Sequence, residues 1–333
     1  MDSKILTISI AAYNVAGYIS ETLDSLVSSK YIDELEIFVI DDGGQDDTLT
    51  IAKRFQDNFP QSVFPIHKDN GGYGTTVNTS IKKATGKYFK LLDGDDWVVT
   101  DELDKLIEKL KDLTCDVVVT PFLKGSDMDN MKIVRPSISF KPEEVCVISE
   151  IKNPPILGMW ALCYRTEILI ESGLELPGRL FYTDQIFCTI PFSVAKTICY
   201  FDYSVYCYRI GRDGQSVSKD SRIKNIDMTL DICRYLVRYC HSNENNENYK
   251  FMINRVSAYY AAALRTILLL PINIHSLNKF ITYEQEIKNI SNDVYLSVVS
   301  KGKIGKLISL FRKTKYQFYW FLKLLPNGIP NWD

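Results

Sequence analysis

The chain has 333 residues, a hydrophobic content of 46%, a charged content of 24% and a formal net charge of −2. This composition is that of an ordinary globular protein, and the length allows one large domain or two smaller ones. The near-neutral charge excludes the bulk electrostatic attraction of a nucleic-acid-binding protein. The eight cysteines have no CxxC spacing, which favours buried thiols in a reducing cytosol over a disulfide framework or a zinc site.

The first hundred residues alternate between strand and helix patterns. Runs of β-branched and apolar residues predict buried strands, and a helical spacing of apolar residues predicts the helices between them. The predicted strands are 5–12, 35–40, 63–67 and 88–92. The predicted helices are 19–26, 48–59 and 75–84. Such alternation is typical of a parallel, doubly wound α/β sheet.

Polar clusters follow these predicted strands. They are Tyr13-Asn14, Asp41-Asp42-Gly43-Gly44, Asn70-Gly71-Gly72 and Asp93-Gly94-Asp95-Asp96. Because ligands bind at the carboxyl ends of the strands in open α/β sheets, we expect the clusters to converge on one crevice. Acids that end two separate strands would repel each other unless a cation or ligand donors lay between them.

The cluster after the fourth strand carries three carboxylates, Asp93, Asp95 and Asp96, around Gly94. Two carboxylates one residue apart suit a hard divalent cation that keeps positions open for phosphate oxygens. Alternatively, Asp95 or Asp96 caps the helix that follows. The glycines at 71 and 72 likewise fit either a plain turn or backbone N–H groups that approach a phosphate.

The next hundred residues are less regular. The sequence predicts helices at 102–111, 165–172 and 186–195, strands at 116–120 and 198–208, and loops with a hairpin at 121–142. Asp184 is the only acid in a long apolar stretch, so it is either a helix N-cap, which the local sequence favours, or a general base. The basic loop 209–218 has the donors that hold phosphate, and a solvated hairpin loop is the alternative.

From about residue 220 the chain has helical patterns, including an apolar helix at 256–270. Residues 301–325 combine basic and aromatic side chains, with no acid between Asp293 and Asp333. This favours peripheral contact with the inner face of a cell membrane over docking on the domain, and a homodimer interface is as compatible with the pattern as lipid is. No apolar run has the ~20 residues of a spanning helix and no signal peptide is evident, so a cytoplasmic location is expected.

Taken together, these motifs resemble the family-two glycosyltransferases of the GT-A fold, the bacterial type that builds surface polysaccharides and related glycans. The resemblance covers roughly residues 5–218 and includes Asn78 and Thr183-Asp184. It implies a Rossmann-like, doubly wound mixed sheet in residues 1–219, with a nucleotide-sugar half (1–100) and an acceptor half (101–219). A helical C-terminal extension with the basic aromatic tail would occupy residues 220–333.

The resemblance also implies an inverting transfer of one sugar from a UDP-sugar to a hydroxyl of a glycan or lipid-linked acceptor. Asp184 would be the general base, and Mn²⁺ or Mg²⁺ would be held by members of the set Asp93, Asp95 and Asp96. Tyr13 would lie against the base, and Asp42 would accept a hydrogen bond from uracil. The implied nucleotide-binding residues are Ala12, Tyr13, Asn14, Asp42, Gly71, Gly72, Asn78, Asp93, Gly94 and Arg212.

The chain departs from the family pattern at Ala11-Ala12, where a proline or hydroxyl residue is common, at Val77, where many relatives have an arginine, and at Thr183, where an acid is common. Lys82, Lys83 or Arg212 would have to replace the missing arginine. No QxxRW motif is present, which disfavours a processive synthase.

Two other functions compete. A sugar nucleotidyltransferase usually has a glycine- and lysine-rich first loop, which residues 11–17 do not resemble. A non-catalytic nucleotide-sugar-binding or scaffold subunit of a glycan assembly complex would have no need of Asp93, Asp95 and Asp184.

Overall fold

The structure is a computed structural model that describes residues 4–211, 215, 216 and 218–324. The chain forms two compact units, Met1–Asp213 and Gly214–Asp333. The division predicted from the sequence, at residue 219, lies slightly further along the chain.

The described part of the first unit contains β-strands, α-helices and short 3₁₀ turns. The strands are β1 Leu6–Ala12, β2 Leu35–Asp41, β3 Val63–His67, β4 Tyr88–Asp93, β5 Trp97–Val98, β6 Val117–Val119, β7 Phe122–Gly125, β8 Lys132–Val134, β9 Val145–Val147, β10 Leu162–Arg165, β11 Thr197–Tyr200 and β12 Tyr206–Arg209. The α-helices are α1 Ile19–Val27, α2 Thr48–Asn58, α3 Tyr73–Lys83, α4 Thr100–Asp112, α5 Thr166–Glu171 and α6 Asp184–Phe187. Short 3₁₀ turns lie at Ile32–Glu34, Met128–Asn130, Ile148–Glu150, Met159–Ala161 and Ile190–Ser193.

The main sheet has the strand order β3-β2-β1-β4-β10-β6-β11-β9. β1 pairs in parallel with β2 and β4, and β2 pairs in parallel with β3. β10 is antiparallel to both β4 and β6. A smaller sheet has the order β5-β12-β7-β8. The predicted α/β mixed sheet is therefore confirmed.

Burial explains why the parallel strands have continuous apolar sequences. All seven residues of β2 are buried, as expected for strands whose two faces are both covered. The one acid in the middle of this run, Glu36, is 5% exposed, and its carboxylate accepts hydrogen bonds from Thr7 and from the backbone and hydroxyl of Thr85. A buried carboxylate with these partners avoids the cost of an unpaired charge.

The order of the strands positions the site. The chain runs from β1 outward to β2 and β3, and then β4 returns to the other side of β1. In this register Ala11 lies opposite Asp93. A reversal of this kind creates a crevice at the carboxyl ends of β1 and β4, where the residues after Ala12 and Asp93 lie.

Two predictions about the irregular region are wrong. The predicted helix 186–195 is only one α-helical turn, α6, followed by a 3₁₀ turn at Ile190–Ser193; Pro191 has no N–H group to continue the helix. The predicted strand 198–208 is two strands, β11 and β12, which belong to different sheets. The expected hairpin is present as the antiparallel pair β7 and β8.

The described part of the second unit is helical. Its α-helices are α7 Lys219–Lys224, α8 Ile226–Ser242, α9 Tyr249–Ile267, α10 Ile274–Ile290, α11 Asn292–Ser297 and α12 Gly302–Lys313, with 3₁₀ segments at Val298–Ser300 and Gln317–Leu324. The C-terminal helical region is therefore confirmed. No helix in the described ranges is long and apolar enough to cross a membrane.

The basic aromatic tail consists of α12 and the 3₁₀ segment rather than one continuous helix. Its inner side chains, among them Ile308, Phe311 and Tyr319, are almost completely buried within the second unit. Arg312 Nη2 lies 2.6 Å from the buried Glu284 carboxylate, and Tyr316 donates a hydrogen bond of 2.8 Å to the same group. One face of the tail therefore packs within its own unit. This agrees with the alternative prediction that the tail docks on the protein itself.

Candidate active site

The acidic cluster forms a tight turn at the end of β4. The N–H of Asp96 donates to the carbonyl of Asp93 over 3.0 Å, and the N–H of Gly94 donates to the carbonyl of Ala11 over 3.2 Å. A Cβ at position 94 would lie 3.0 Å from this carbonyl and 3.0 Å from Val15 Cγ2. A side chain at position 94 would therefore be tightly packed, because β1 and the turn after β4 approach closely there.

Asp96 faces the protein. Its Oδ2 accepts a 2.6 Å hydrogen bond from the Tyr206 hydroxyl, and its Oδ1 accepts one of 2.7 Å from the Arg209 N–H. Asp96 is 1% exposed. Burial and then the charge of Asp95 raise the pKa of the Asp96 carboxyl to about 8. Asp96 thus ties β12 to the turn, although the sequence grouped it with the metal-binding acids.

The helix-cap alternative for this cluster is wrong. The N-cap of α4 is Val99, and no side chain caps that helix end. Asp93 is partly buried and Asp95 is 9% exposed. Their role as metal ligands stays a prediction. The Tyr206 hydroxyl also accepts a 3.1 Å hydrogen bond from the Asp93 N–H, which fixes the start of the turn.

Arg209 supports the turn from β12. Its Nε donates to the carbonyl of Asp95 over 2.9 Å, its Nη2 lies 2.5 Å from Glu21, and its guanidinium lies over the Trp97 ring at 4.4 Å. The sequence had placed Arg209 in a phosphate-holding loop, whereas these contacts give it a structural role. Arg212, the predicted nucleotide contact of the same loop, lies outside the described residues.

The carboxylate of Asp42 is surrounded by donors at the end of β2. Oδ1 accepts hydrogen bonds from the N–H of Gly71 over 2.9 Å and from Lys68 Nζ over 2.6 Å, and Oδ2 accepts one from the N–H of Gly72 over 2.7 Å. Gly72 has φ +85°, and a Cβ there would lie 2.7 Å from the Arg179 nitrogen. The two glycines thus form a turn that binds a carboxylate with its N–H groups.

The residues after β1 lie beside Asp42. The carbonyl of Ala12 accepts a 2.9 Å hydrogen bond from the Asp42 N–H. Asn14 has φ +53° and its Oδ1 accepts a 2.8 Å hydrogen bond from the N–H of Gln45. Tyr13, between them, has 53% of its surface exposed. An exposed aromatic ring at this place is available to stack on a planar ligand.

Asn78 is the predicted nucleotide contact with the clearest structural role. Its amide donates to the carbonyl of Leu176 over 2.8 Å and accepts from the Leu176 N–H over 2.9 Å. The same segment lies against α3, because a Cβ at Gly74 would lie 2.4 Å from the Pro177 carbonyl oxygen. Asn78 therefore clamps this segment to α3, and a nucleotide contact by Asn78 stays a prediction.

Asp184 is the first residue of α6, whose N-cap is Thr183 without a side-chain cap bond. The locally favoured prediction, that Asp184 is the cap, is wrong. Gln185 Nε2 donates a 2.7 Å hydrogen bond to Asp184 Oδ2, which orients the carboxylate.

The 3₁₀ turn Met159–Ala161 contacts α6, β4 and β12, so Asp184 and the acidic turn belong to elements that pack against one segment. Burial, and then the charges of Asp93 and Asp184, raise the pKa of the Tyr73 hydroxyl well above its usual value. The pKa of Tyr208 is raised by burial and by a set of charges that includes Asp93 and Asp184. The charges that act on these two hydroxyls thus come from the end of β4 and from α6, in agreement with that packing.

The sequence did not identify Tyr206, Lys68 and Tyr73 as site residues. Tyr206 lies in a tyrosine-rich strand, and Lys68 follows a strand as many surface lysines do. The only available signal was their position next to predicted strand ends or glycines. Their partners are 26 or more residues away in the chain, so only the folded structure reveals them.

The acidic turn offers the carboxylates of Asp93 and Asp95 to the divalent cation that the sequence predicts. Among the residues that the structure describes, no group of three or more His, Cys, Asp and Glu side chains could hold a metal ion. Asp93 and Asp95 nevertheless supply hard carboxylate oxygens, and Mg²⁺ is commonly held by one or two carboxylates together with substrate phosphates. The two aspartates therefore fit an ion that is shared with a diphosphate.

Residues 7–168 match the family described as Glycosyl transferase family 2. An uncharacterized glycosyltransferase from Rickettsia typhi is 36% identical over 224 residues, which are 65% of this chain and 67% of that protein. Glycosyltransferase GlyA from Streptococcus pneumoniae is 24% identical over 227 residues, and the chain spans only 32% of its length.

Among solved structures, S. aureus TarS 1–349 in complex with UDP-GlcNAc has a TM-score of 0.64 and 20% identity, with 95% of this chain and 89% of that chain covered. The similarity in fold therefore includes residues of both units. The family match over the motif-bearing strands, the identity to the Rickettsia protein and the shared fold agree, and the chain therefore belongs to glycosyltransferase family 2 and has the GT-A fold.

Proposed function

We propose that this protein is an inverting, metal-dependent glycosyltransferase that moves one sugar from a UDP-sugar to a hydroxyl of a glycan or lipid-linked acceptor. The observation that carries this proposal is the packing of β4, which ends in Asp93, and of α6, which begins at Asp184, against the same 3₁₀ turn, Met159–Ala161. It supports the presence of a metal-binding carboxylate and a separate carboxylate at one crevice, which is what a single displacement requires.

In the proposed reaction the acceptor hydroxyl attacks the anomeric carbon from the face opposite the diphosphate. Asp184 takes the hydroxyl proton as the new C–O bond forms, and the bond between the anomeric carbon and the diphosphate oxygen breaks to release UDP. Asp93 and Asp95 would hold Mn²⁺ or Mg²⁺, whose chemistry as a Lewis acid is to offset the charge on the leaving diphosphate. No enzyme nucleophile is required.

The nucleotide would lie over the ends of β1 and β2. The exposed ring of Tyr13 provides a surface for the base, and Asp42 provides a carboxylate acceptor held by Gly71 and Gly72. The tight contact of Gly94 with Ala11 brings the metal-binding turn next to these residues. Tyr13, Asp42 and Gly94 thus follow neighbouring strand ends.

The first test is an assay of UDP release across a panel of UDP-sugars, with manganese, with magnesium and with EDTA. We expect release from one sugar, and we expect EDTA and Asp95→Ala each to lower it by at least about 100-fold, because the leaving charge is no longer neutralised. Asp112→Ala, which removes an exposed acid at the end of α4, is the matched control and should leave release unchanged.

The outcomes separate the candidate functions. UDP binding with manganese but no release from any sugar, even with candidate acceptors, would favour a binding or scaffold subunit. Absence of both release and UDP binding in calorimetry would refute the UDP-sugar proposal.

We also propose that the outer face of the tail contacts a membrane. Trp320, Phe321 and Leu324 are 39%, 56% and 75% exposed, and Lys323 lies 5.1 Å from the Trp320 ring. Exposed lysines lie on the same segment, at positions 303, 306, 313, 315 and 323. Aromatic and basic side chains together favour an anionic bilayer interface.

Vesicle sedimentation tests this part of the proposal. We expect the protein to bind vesicles that contain anionic lipid, to be released by salt, and to lose most of its binding in the double variant Trp320→Ser, Phe321→Ser. Ile274→Ser, which removes another exposed apolar side chain of the second unit, is the control. Failure to bind, with concentration-dependent self-association instead, would assign the tail to a homodimer.

A further inference from the structure

Lys68 and Asp42 form an ion pair at the ends of two neighbouring parallel strands. Asp42 follows β2 and Lys68 follows β3, and Lys68 Nζ lies 2.6 Å from Asp42 Oδ1. The same ammonium group donates to the carbonyl of Asp69 over 2.6 Å. The side chains are 22% and 6% exposed, respectively. The lysine is therefore held in place rather than extended into solvent.

The glycine turn makes room for this lysine. A Cβ at Gly71 would lie 3.0 Å from Lys68 Nζ and 2.6 Å from the Thr75 hydroxyl. The neighbouring acid, Asp41, has separate partners, since its Oδ2 lies 2.7 Å from His67 Nδ1 and its Oδ1 accepts from the Gly44 N–H. Lys68 therefore pairs with Asp42 and not with the acid next to it.

The hydrogen-bonding capacity of this pair is only partly used by the described residues. An ammonium group has three N–H donors and each carboxylate oxygen has two acceptor positions. Asp42 Oδ1 accepts from Gly71 and Lys68, Oδ2 accepts from Gly72, and Lys68 donates to Asp42 and Asp69. One acceptor position on Oδ2 and one N–H of Lys68 remain, so the pair has one acceptor and one donor left for a ligand.

We propose that Lys68, held against Asp42, is the donor that contacts the carbonyl next to the imide N–H of the nucleobase and so selects the base. This inference rests on the proposed function, which places the base at Asp42. Uracil presents the N3–H donor next to the O4 acceptor, which complements Asp42 and Lys68 respectively. Cytosine presents an acceptor at N3 next to an amino donor, so that an acceptor would face the carboxylate and a donor would face the ammonium group. Guanine shares the uracil arrangement at N1–H and O6, and adenine shares the cytosine arrangement.

This role of Lys68 also supplies a positive charge in place of the arginine that many relatives have at the position of Val77. The lysines first considered for that role, Lys82 and Lys83, are exposed in the last turn of α3. Lys68 is instead paired with the carboxylate that is expected to bind the base. A site whose buried polar groups are left unpaired by the wrong ligand discriminates strongly against it.

The experiment is calorimetry of the full chain with manganese, using UDP, CDP and 4-thio-UDP as probes. The sulfur of 4-thio-UDP is a poorer acceptor than O4, so it reports on the Lys68 contact without any substitution in the protein. In the wild type we expect CDP to bind at least about 100-fold more weakly than UDP, and 4-thio-UDP about fivefold to tenfold more weakly.

Variants then assign the effect to the lysine. We expect Lys68→Met to bind UDP about tenfold more weakly than the wild type, and to bind UDP and 4-thio-UDP equally. Lys53→Met removes the same charge from an exposed position on α2 and should retain the wild-type preference. If 4-thio-UDP were disfavoured to the same extent in Lys68→Met, or if the wild type bound UDP and CDP equally, the inference would be wrong.

These failures differ from failure of the proposed function. An enzyme that releases UDP from its donor but does not distinguish the probes would retain the transferase proposal and lose the role of Lys68. A protein that binds no nucleoside diphosphate and releases none would overturn both.

Discussion

Replacing Asp184 by asparagine is expected to lower the rate of sugar transfer by about 10²- to 10⁴-fold, the usual contribution of a general base. The amide has nearly the same shape as the carboxylate and can still pair with Gln185, but it cannot take the proton of the acceptor hydroxyl. The metal-binding turn and Asp42 are unchanged, so UDP affinity should remain within about twofold of the wild type. UDP release and calorimetry with UDP and manganese measure the two effects.

Glu175→Gln is the matched control for this variant, because it neutralises an exposed acid that precedes Asp184 in the chain. It should transfer at the wild-type rate. Full activity in Asp184→Asn would remove Asp184 from the base role. Loss of both UDP binding and transfer would instead indicate that Asp184 supports the structure of the nucleotide site.

Replacing Arg312 by methionine is expected to destabilise the second unit by about 3–5 kcal/mol, because it leaves a buried carboxylate without its cation. Arg312 Nε and Nη2 donate to Glu284 Oε1 over 3.0 and 2.6 Å. The guanidinium also lies 3.5 Å from the centre of the Tyr295 ring. The side chains of Arg312 and Glu284 are 14% and 1% exposed.

Hydrogen exchange along α10 and α12 of the full chain, together with urea unfolding, measures this destabilisation. Lys279→Met is the control, since its partner Asp227 is 79% exposed and such surface pairs contribute about 0–1 kcal/mol. The double variant Arg312→Met, Glu284→Gln should recover part of the loss, because it removes the uncompensated charge. A loss below about 1 kcal/mol in Arg312→Met would contradict the assignment of this pair as buried and energetically coupled.

The regular elements of the first hundred residues were predictable because each depends on local pattern. Strand β3 is observed at Val63–His67 as predicted, and β2 and β4 extend by one residue beyond their predicted ends. Continuous apolar runs of this kind arise wherever a parallel strand is covered on both faces. The convergence of the strand ends also follows from the alternation of strand and helix.

The roles of individual polar side chains were less predictable, because they depend on partners that are distant in the chain. Asp96 is next to Asp95 in sequence, but its carboxylate accepts hydrogen bonds from a tyrosine and an arginine of β12. Its role is therefore structural. Asn78 has a motif position typical of a ligand contact, yet Leu176 occupies its amide. Hydrogen bonds over such separations depend on the pairing of strands, which no local pattern encodes.

The sequence by itself determined the fold class, the set of strand ends that form the crevice, and the acids Asp42, Asp93, Asp95 and Asp184 as candidates. These follow from hydrophobic periodicity and from the cost of placing carboxylates in apolar runs. Only the tertiary structure decided which acid forms its hydrogen bonds within the protein, which lysine forms an ion pair with Asp42, and which face of the tail is buried. Those outcomes depend on how two segments far apart in the chain satisfy each other's charges and hydrogen bonds once both are removed from water.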